Sequence, residues 1–262
     1  MNVSEVLRLA LPPGTQVLSG ADGLGATVTW ATTFRSRAPA LDHLEGGELV
    51  LLSLATARVV DPMLTLAGIL TMLHERDVAA LAVEGEIDEA AMGTAERLRV
   101  PLLALPAGSD LYGLEKSIVG LVLNKQAELQ ARAAQLQRQL TQTAMQGKGL
   151  AGIAAELARA TGRAVGVYDV RLQLLAEAGT VAPLGAAQAK ALQVVARNPV
   201  PLSQEPTPEW IEPERGAGPR WAAPIPVNNR AAGALTLAAP DSELTELDGL
   251  LAVRAAAVCA ME

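Results

Sequence analysis

The chain has 262 residues, half of them apolar, a formal charge of −7 and a single cysteine. That length and composition suit two domains with real cores and argue against extended disorder. The acidic balance argues against a non-specific nucleic-acid surface, which needs a basic footprint, and one cysteine excludes an intrachain disulfide framework.

The apolar mass is aliphatic, with one Phe, two Tyr and three Trp, so few side chains could serve as stacking platforms for single-stranded nucleic acid. Charge is uneven along the chain. Residues 1–113 carry 7 basic and 14 acidic side chains, residues 114–148 carry 5 and 2, and residues 149–262 carry 9 and 12. The basic stretch is too dilute for a DNA-binding arm. The N-terminus lacks a basic segment followed by a long apolar one, and no apolar run reaches about 18 residues, so neither a secretory signal nor a membrane span is predicted. A cytoplasmic location is expected.

Residues 3–9 read as a short helix with Ser4 as its cap, closed by Pro12-Pro13-Gly14. Val17 and Leu18 form a short strand, Asp22-Gly23 marks a turn, and Val28 and Trp30 alternate with threonines as a half-buried strand. LDHL reads as a helical turn running into Gly46-Gly47. Residues 48–53 (ELVLLS) form a continuous apolar run, as in a strand covered on both faces. Residues 61–76 read as a helix with Asp61 at the cap and Pro62 in the first turn. Residues 78–83 (VAALAV) are a second buried strand, 89–98 a helix, and 101–105 (PLLAL) a third strand. Strands alternating with helices predict an α/β domain with a mainly parallel sheet over residues 1–113.

From about residue 110 to 146 the pattern is one long helix with two apolar heptad sets. One set is Val119, Ala133 and Leu140, with polar Gln126 among them, and the other is Val122, Leu129 and Leu136. Residues 114–148 are therefore expected to be a connecting and dimerising helix, with Val122, Leu129, Leu136 and Leu140 at the interface of a homodimer. Packing of the helix on its own domain is the alternative.

A second domain is expected over 149–262. Residues 150–160 are an amphipathic helix closed by Gly162, 164–169 (AVGVYD) a strand and 172–176 its hairpin partner. Residues 184–197 read as a helix, and the proline-rich stretch 198–219 as a long loop. Strands 222–227 and 232–237 are joined by Asn228-Asn229, and a helix runs from 243 to the end. Helices flanking an antiparallel sheet make this an α+β domain. The last helix stops without the Gly, Asn or Pro that often follows one, which suggests a chain continuing into a further domain.

Catalytic motifs are absent: no GxSxG, HExxH, GxxxxGK[ST] or GxGxxG occurs. His43 and His74 lack metal-ligand spacing and read as solvated, and no catalytic, cofactor-binding or metal-ligating residue is assigned. Glu84, Glu86, Asp88 and Glu89 form a carboxylate cluster after a strand, a pattern typical of a solvated loop or a helix start. Cys259 lies on an apolar helical face and reads as packing. IAAELARATGRAVGVYDV imitates the start of a helix-turn-helix, but its second half is β-branched and carries no base-reading series.

The ordered set QVLSGADGLGATVTW, LEGGELVLLS, VAALAVEG and RLRVPLLALP resembles the N-terminal domain of the PucR (purine-catabolism-regulator-like) family over residues 3–125. The unit at 149–262 is similar in pattern to a short GAF domain. The resemblance implies a bacterial transcription regulator in which such domains precede a C-terminal helix-turn-helix, here missing from the chain. It also implies a small-molecule effector and contact with DNA only through the missing domain. Two departures stand out. The segment after the Trp strand reads TTFRSRAPA where the family has an acidic, proline-containing stretch, and Ser53-Leu54-Ala55 stands where Thr-Thr-Gly is usual. A purine effector therefore does not follow from the resemblance.

The strand ends of an open parallel sheet are where ligands bind. In the first domain these are Ser53 and Glu84, with Phe34, Arg35 and Arg37 following the Trp30 strand; two neighbouring arginines suit a carboxylate or phosphate. The alternative is that they pair with Asp42 or Glu45 in solvent. In the second domain Tyr168, Arg171 and Trp221 are the candidates for the ligand-facing side of the sheet, with core packing as the alternative for Tyr168 and Trp221. An enzyme acting on a small anionic metabolite and a scaffold without a ligand remain the competing functions.

Overall fold

The structure is a computed structural model that describes residues 1–34, 44–60, 62–200, 206–239 and 243–262. The chain divides into two compact units, Met1–Ala127 and Glu128–Glu262. That boundary falls inside the long helix, whereas the sequence suggested a separate helical segment between 113 and 149.

In the first unit the elements run α1 (Val3–Leu9), β1 (Gln16–Ser19), β2 (Trp30–Thr33), β3 (Glu48–Ser53), α2 (Leu54–Val60), α3 (Leu66–His74), β4 (Ala80–Glu84), α4 (Glu89–Leu98) and β5 (Leu102–Leu105), followed by α5 (Leu111–Met145). The sheet order is β1-β5-β4-β3-β2, parallel throughout except for β1 against β5. β3 and β4 sit inside it, which is why both are apolar runs rather than alternations. Along β3, Val50 and Leu52 enter the layer under α3 and α4, while Leu49 and Leu51 enter the opposite layer with α1 and the start of α5. Asn2, not Ser4, caps α1, in a reciprocal pair with Glu5. Helix α3 begins at Leu66 with Thr65 as its cap, and Leu54–Val60 is a helix of its own, where one helix from 61 was expected.

The GGEL motif makes a turn. Gly46 and Gly47 hold φ of 104° and 78°, a region open chiefly to glycine. The buried Glu48 carboxylate accepts hydrogen bonds from the N–H groups of Glu45 (2.7 Å) and Gly46 (3.0 Å), closing the turn onto the start of β3.

Helix α5 continues into the second unit, which adds α6 (Gly149–Thr161), β6 (Ala164–Asp169), β7 (Leu174–Ala178), α7 (Ala186–Val195), β8 (Glu209–Ile211), β9 (Arg220–Val227), β10 (Arg230–Ala238) and α8 (Glu246–Cys259). Its sheet is antiparallel, in the order β7-β6-β10-β9-β8. One face packs Val165, Val167, Ala223, Leu235 and Leu237 against α5, α6 and α8; the other packs Tyr168, Ala222 and Ala234 against α7. The α/β plus α+β organisation therefore stands. β8 lies inside the stretch expected to be loop, and a bulge between Ala231 and Ala234 interrupts the β9–β10 hairpin.

The heptad residues go inside the chain. Val122 is buried in the first unit's core, and Leu136 and Leu140 in the second's; Leu129 is half-buried and Gln126 exposed. Burial of a leucine is worth about 1.5–3 kcal/mol, and here that gain is taken intramolecularly. The expectation that these side chains form an apolar stripe in water, awaiting a partner helix, is therefore corrected.

Candidate functional site

In the first unit the strand ends meet as expected, Ser53 pairing in register with Glu84 and Glu84 with Leu105. Their polar groups are taken up by the fold. The Glu84 carboxylate accepts the Gly108 N–H at 2.7 Å, and Glu115 of α5 accepts both the N–H (3.0 Å) and the hydroxyl (2.5 Å) of Thr33. Phe34 donates its N–H to the Leu51 carbonyl and lies half-buried against the layer under α3 and α4. Asp88 caps α4 through the Ala91 N–H at 2.7 Å, while Glu86 and Glu89 are exposed. Arg35, Arg37, Asp42 and His43 lie outside the described residues, so the arginine-pair site has no geometry. His74 is exposed in the last turn of α3. Among the described residues no group of three or more His, Cys, Asp or Glu is placed to hold a metal ion.

The three candidates of the second unit separate. Tyr168 lies on the α7 side of the sheet. Trp221 sits on the opposite side, against the α5–α6–α8 layer, its ring edge-on to Trp210 with centroids 5.2 Å apart. Arg171 is exposed in the β6–β7 turn, where its own N–H donates to Asp169. The proposed shared lining by Tyr168, Arg171 and Trp221 is thus corrected to Tyr168 alone. Strand parity is the reason: Tyr168 pairs with Ala234 and Ala234 with Pro224, so even-numbered β9 residues share the Tyr168 face and Trp221 does not.

What does share that face is Arg220, which the sequence reading left unassigned between the proline-rich loop and the following strand. It is 0 % exposed. Its Nε donates to Gln188 Oε1 of α7 at 3.1 Å, and its Nη2 to the carbonyls of Ala182 (2.6 Å) and Pro183 (3.3 Å). Nη1 is buried and has no partner. The Tyr168 hydroxyl lies beside the guanidinium and the Thr236 hydroxyl, near enough to interact with both. Gly166 makes room for it, since a Cβ there would stand 2.7 Å from the Tyr168 ring. Burial pushes the Tyr168 phenol up and the Arg220 guanidinium down from their ordinary values, yet arginine stays charged in proteins.

Gln188 fixes the arrangement from the helix side, its Nε2 donating to the carbonyls of Glu212 and Gly218, both at 2.9 Å. Glu214 occupies the N-terminus of α7, accepting from the N–H groups of Ala187 and Gln188. The guanidinium itself has only neutral partners. A buried cation in that state is costly unless an opposite charge is supplied.

Cys259 is buried in the opposite layer, where its surroundings push the thiol up to about 12, chiefly by desolvation. A thiol so protonated is a poor nucleophile.

No curated protein matches the chain. The sequence model of the Purine catabolism regulatory protein-like family (PucR) matches residues 5–122. That span covers all the sheet of the first unit and the beginning of α5, and includes the Gly46-Gly47-Glu48 turn and the buried β3 that follows it. The first unit is thus similar to the PucR family over nearly its whole length.

Proposed function

We propose that residues 1–262 are the ligand-sensing portion of a bacterial transcription regulator, relaying effector binding to a DNA-binding domain outside these residues. The PucR match over the first unit carries the regulator reading. A GAF-like second unit is the seat of the effector: the α7 face of its sheet joins an apolar wall of Leu192, Ala222 and Ala234 to Tyr168 and Arg220, the mixture of apolar lining and few polar groups typical of small-molecule sites. The chain works as a homodimer, through surface other than Val122, Leu136 and Leu140; on α5 the large apolar side chains left exposed are Tyr112, Leu123 and Met145. Among the described residues no helix is long and apolar enough to cross a membrane.

Thermal-shift screening of nucleobases, carboxylates and phosphorylated metabolites tests the sensor reading, with hydrogen exchange to locate the response. A stabilising ligand that protects β6, β10 and α7 supports it. Protection confined to the first unit, or no stabilising ligand at all, overturns it. Sedimentation equilibrium of the wild type and Leu123→Lys tests the dimer: a monomeric wild type removes that part of the proposal.

A further inference from the structure

We infer that Arg220 is the receptor for a small monocarboxylate, held between its free Nη1 and the Tyr168 hydroxyl. This rests on the reading of the second unit as a sensor and narrows it to one residue pair and one ligand class.

Three observations carry the inference. First, the guanidinium is fully buried, and its donor groups are committed to neutral oxygens except at Nη1, which is buried and unpartnered. Among the described residues no carboxylate pairs with it, so an arriving anion displaces no ion pair there. Second, the surroundings of the guanidinium are polar on one side only. Tyr168 and Thr236 place hydroxyls beside the guanidinium, while Leu192, Ala222 and Ala234 make the rest of that layer apolar. Third, the charge available is a single unit. The N–H groups at the start of α7, which could stabilise further negative charge, are already occupied by the Glu214 carboxylate. A phosphate dianion would meet one cation and a nearby carboxylate. A carboxylate with a short apolar tail matches both the charge and the wall.

The geometry also ties occupancy to a movable element. Gln188 of α7 holds Arg220 Nε through its side-chain oxygen and the carbonyls of Glu212 and Gly218 through its nitrogen. An anion on Nη1 therefore pulls on the same planar group that anchors α7 to the sheet.

The test uses the 262-residue protein with sodium propionate as probe, propionamide as its neutral isostere, and inorganic phosphate, all at matched ionic strength. Propionate should raise the unfolding temperature saturably, and propionamide and phosphate should not. Losing a charge-assisted hydrogen bond weakens binding by about tenfold or more, so Arg220→Met should abolish the response over the same concentration range. Tyr168→Phe, which keeps the ring, should weaken binding severalfold. Should Arg220→Met fail to fold, the contrast of propionate with propionamide on the wild type, together with Tyr168→Phe, decides the matter. Equal responses to propionate and propionamide, or an unchanged propionate response in Arg220→Met, overturn the inference. If propionate is silent while a neutral nucleobase stabilises the chain and protects β6 and α7, the carboxylate assignment fails and the sensor reading survives. If nothing in the wider screen stabilises the chain, both fail.

Discussion

The two sheets bury their faces by different rules. In the first unit both faces of β3 and β4 are aliphatic, and polar groups are kept to the strand ends, where backbone N–H groups and Glu84 or Glu115 satisfy one another. In the second unit one face is equally apolar, but the other holds a fully buried arginine with Tyr168, Gln188 and Thr236 around it. A buried charge with neutral partners does not stabilise a fold. The contrast teaches where to look: among the described residues the buried donors without a partner, Arg220 Nη1 and Trp221 Nε1 among them, all lie in the second unit.

The largest effects should come from the faces built alike. Leu52→Ala in β3 and Leu140→Ala in α5 each remove a fully buried leucine and should cost about 2–5 kcal/mol in urea unfolding. Hydrogen exchange should confine the first loss to Met1–Ala127 and the second to Glu128–Glu262. A Leu140 variant that loosened only the first unit would break the assignment of α5 to two cores.

Alkaline pH probes the apolar face of the second unit. The Cys259 thiol is held at about 12 in the fold against an ordinary 9. The unfolded chain releases this proton first, so the stabilisation is complete below pH 9 and is lost as pH rises towards 12, by about 1.4 kcal/mol per unit. Cys259→Ala should flatten that part of the stability profile; an unchanged slope would count against the burial.

Next in size is the ion pair that fastens β6 to α8. Arg163 Nη2 lies 3.1 Å from Asp248 Oδ2, both side chains are largely buried, and Asp248 also accepts from the N–H and hydroxyl of Thr245. Asp248→Ala removes this pair together with the Thr245 contacts and should cost about 3 kcal/mol in chemical denaturation. A loss below 1 kcal/mol would mean that the pair is solvated.

The smallest expected change is the most telling. Without ligand, Arg220→Met should alter stability by less than about 1 kcal/mol, or raise it, because a cation with neutral partners gives way to an apolar chain of similar length. A loss comparable with that of Leu140→Ala would show that the arginine serves the fold, and would erase the contrast between the two sheets.

Much of this architecture was legible because buried strands and well-capped helices announce themselves locally. Glu48–Ser53, Glu89–Leu98 and Ala164–Asp169 were placed to the residue from the local pattern, the two strands as continuous apolar runs. The misplaced start of α3 came from trusting Asp61-Pro62 over Thr65, which caps the helix through the Gly68 N–H. β8 was missed because a three-residue edge strand amid prolines is defined by its partner β9, not by its own pattern. Arg220 was illegible for a deeper reason. Its burial depends on Gln188, 32 residues away, and on a sheet register carried through β10, whose bulge breaks the parity that the Asn228-Asn229 turn alone would set. Trp221, the more conspicuous residue, drew the assignment one position too far and onto the wrong face.

Helix α5 has a stretch that belongs to neither core. Residues 123–128 are exposed on every side, between Val122 in one apolar layer and Ala133 in the other. About 9 Å of helix therefore stands on its own backbone ladder, and Lys125, Gln126, Ala127 and Glu128 are all strong helix formers. The stiffness of this span is set by residue propensity rather than by packing. Glycines at Gln126 and Ala127 would weaken the helix here while leaving the buried residues of both cores untouched, so the order of this span and the stability of the cores could be varied separately.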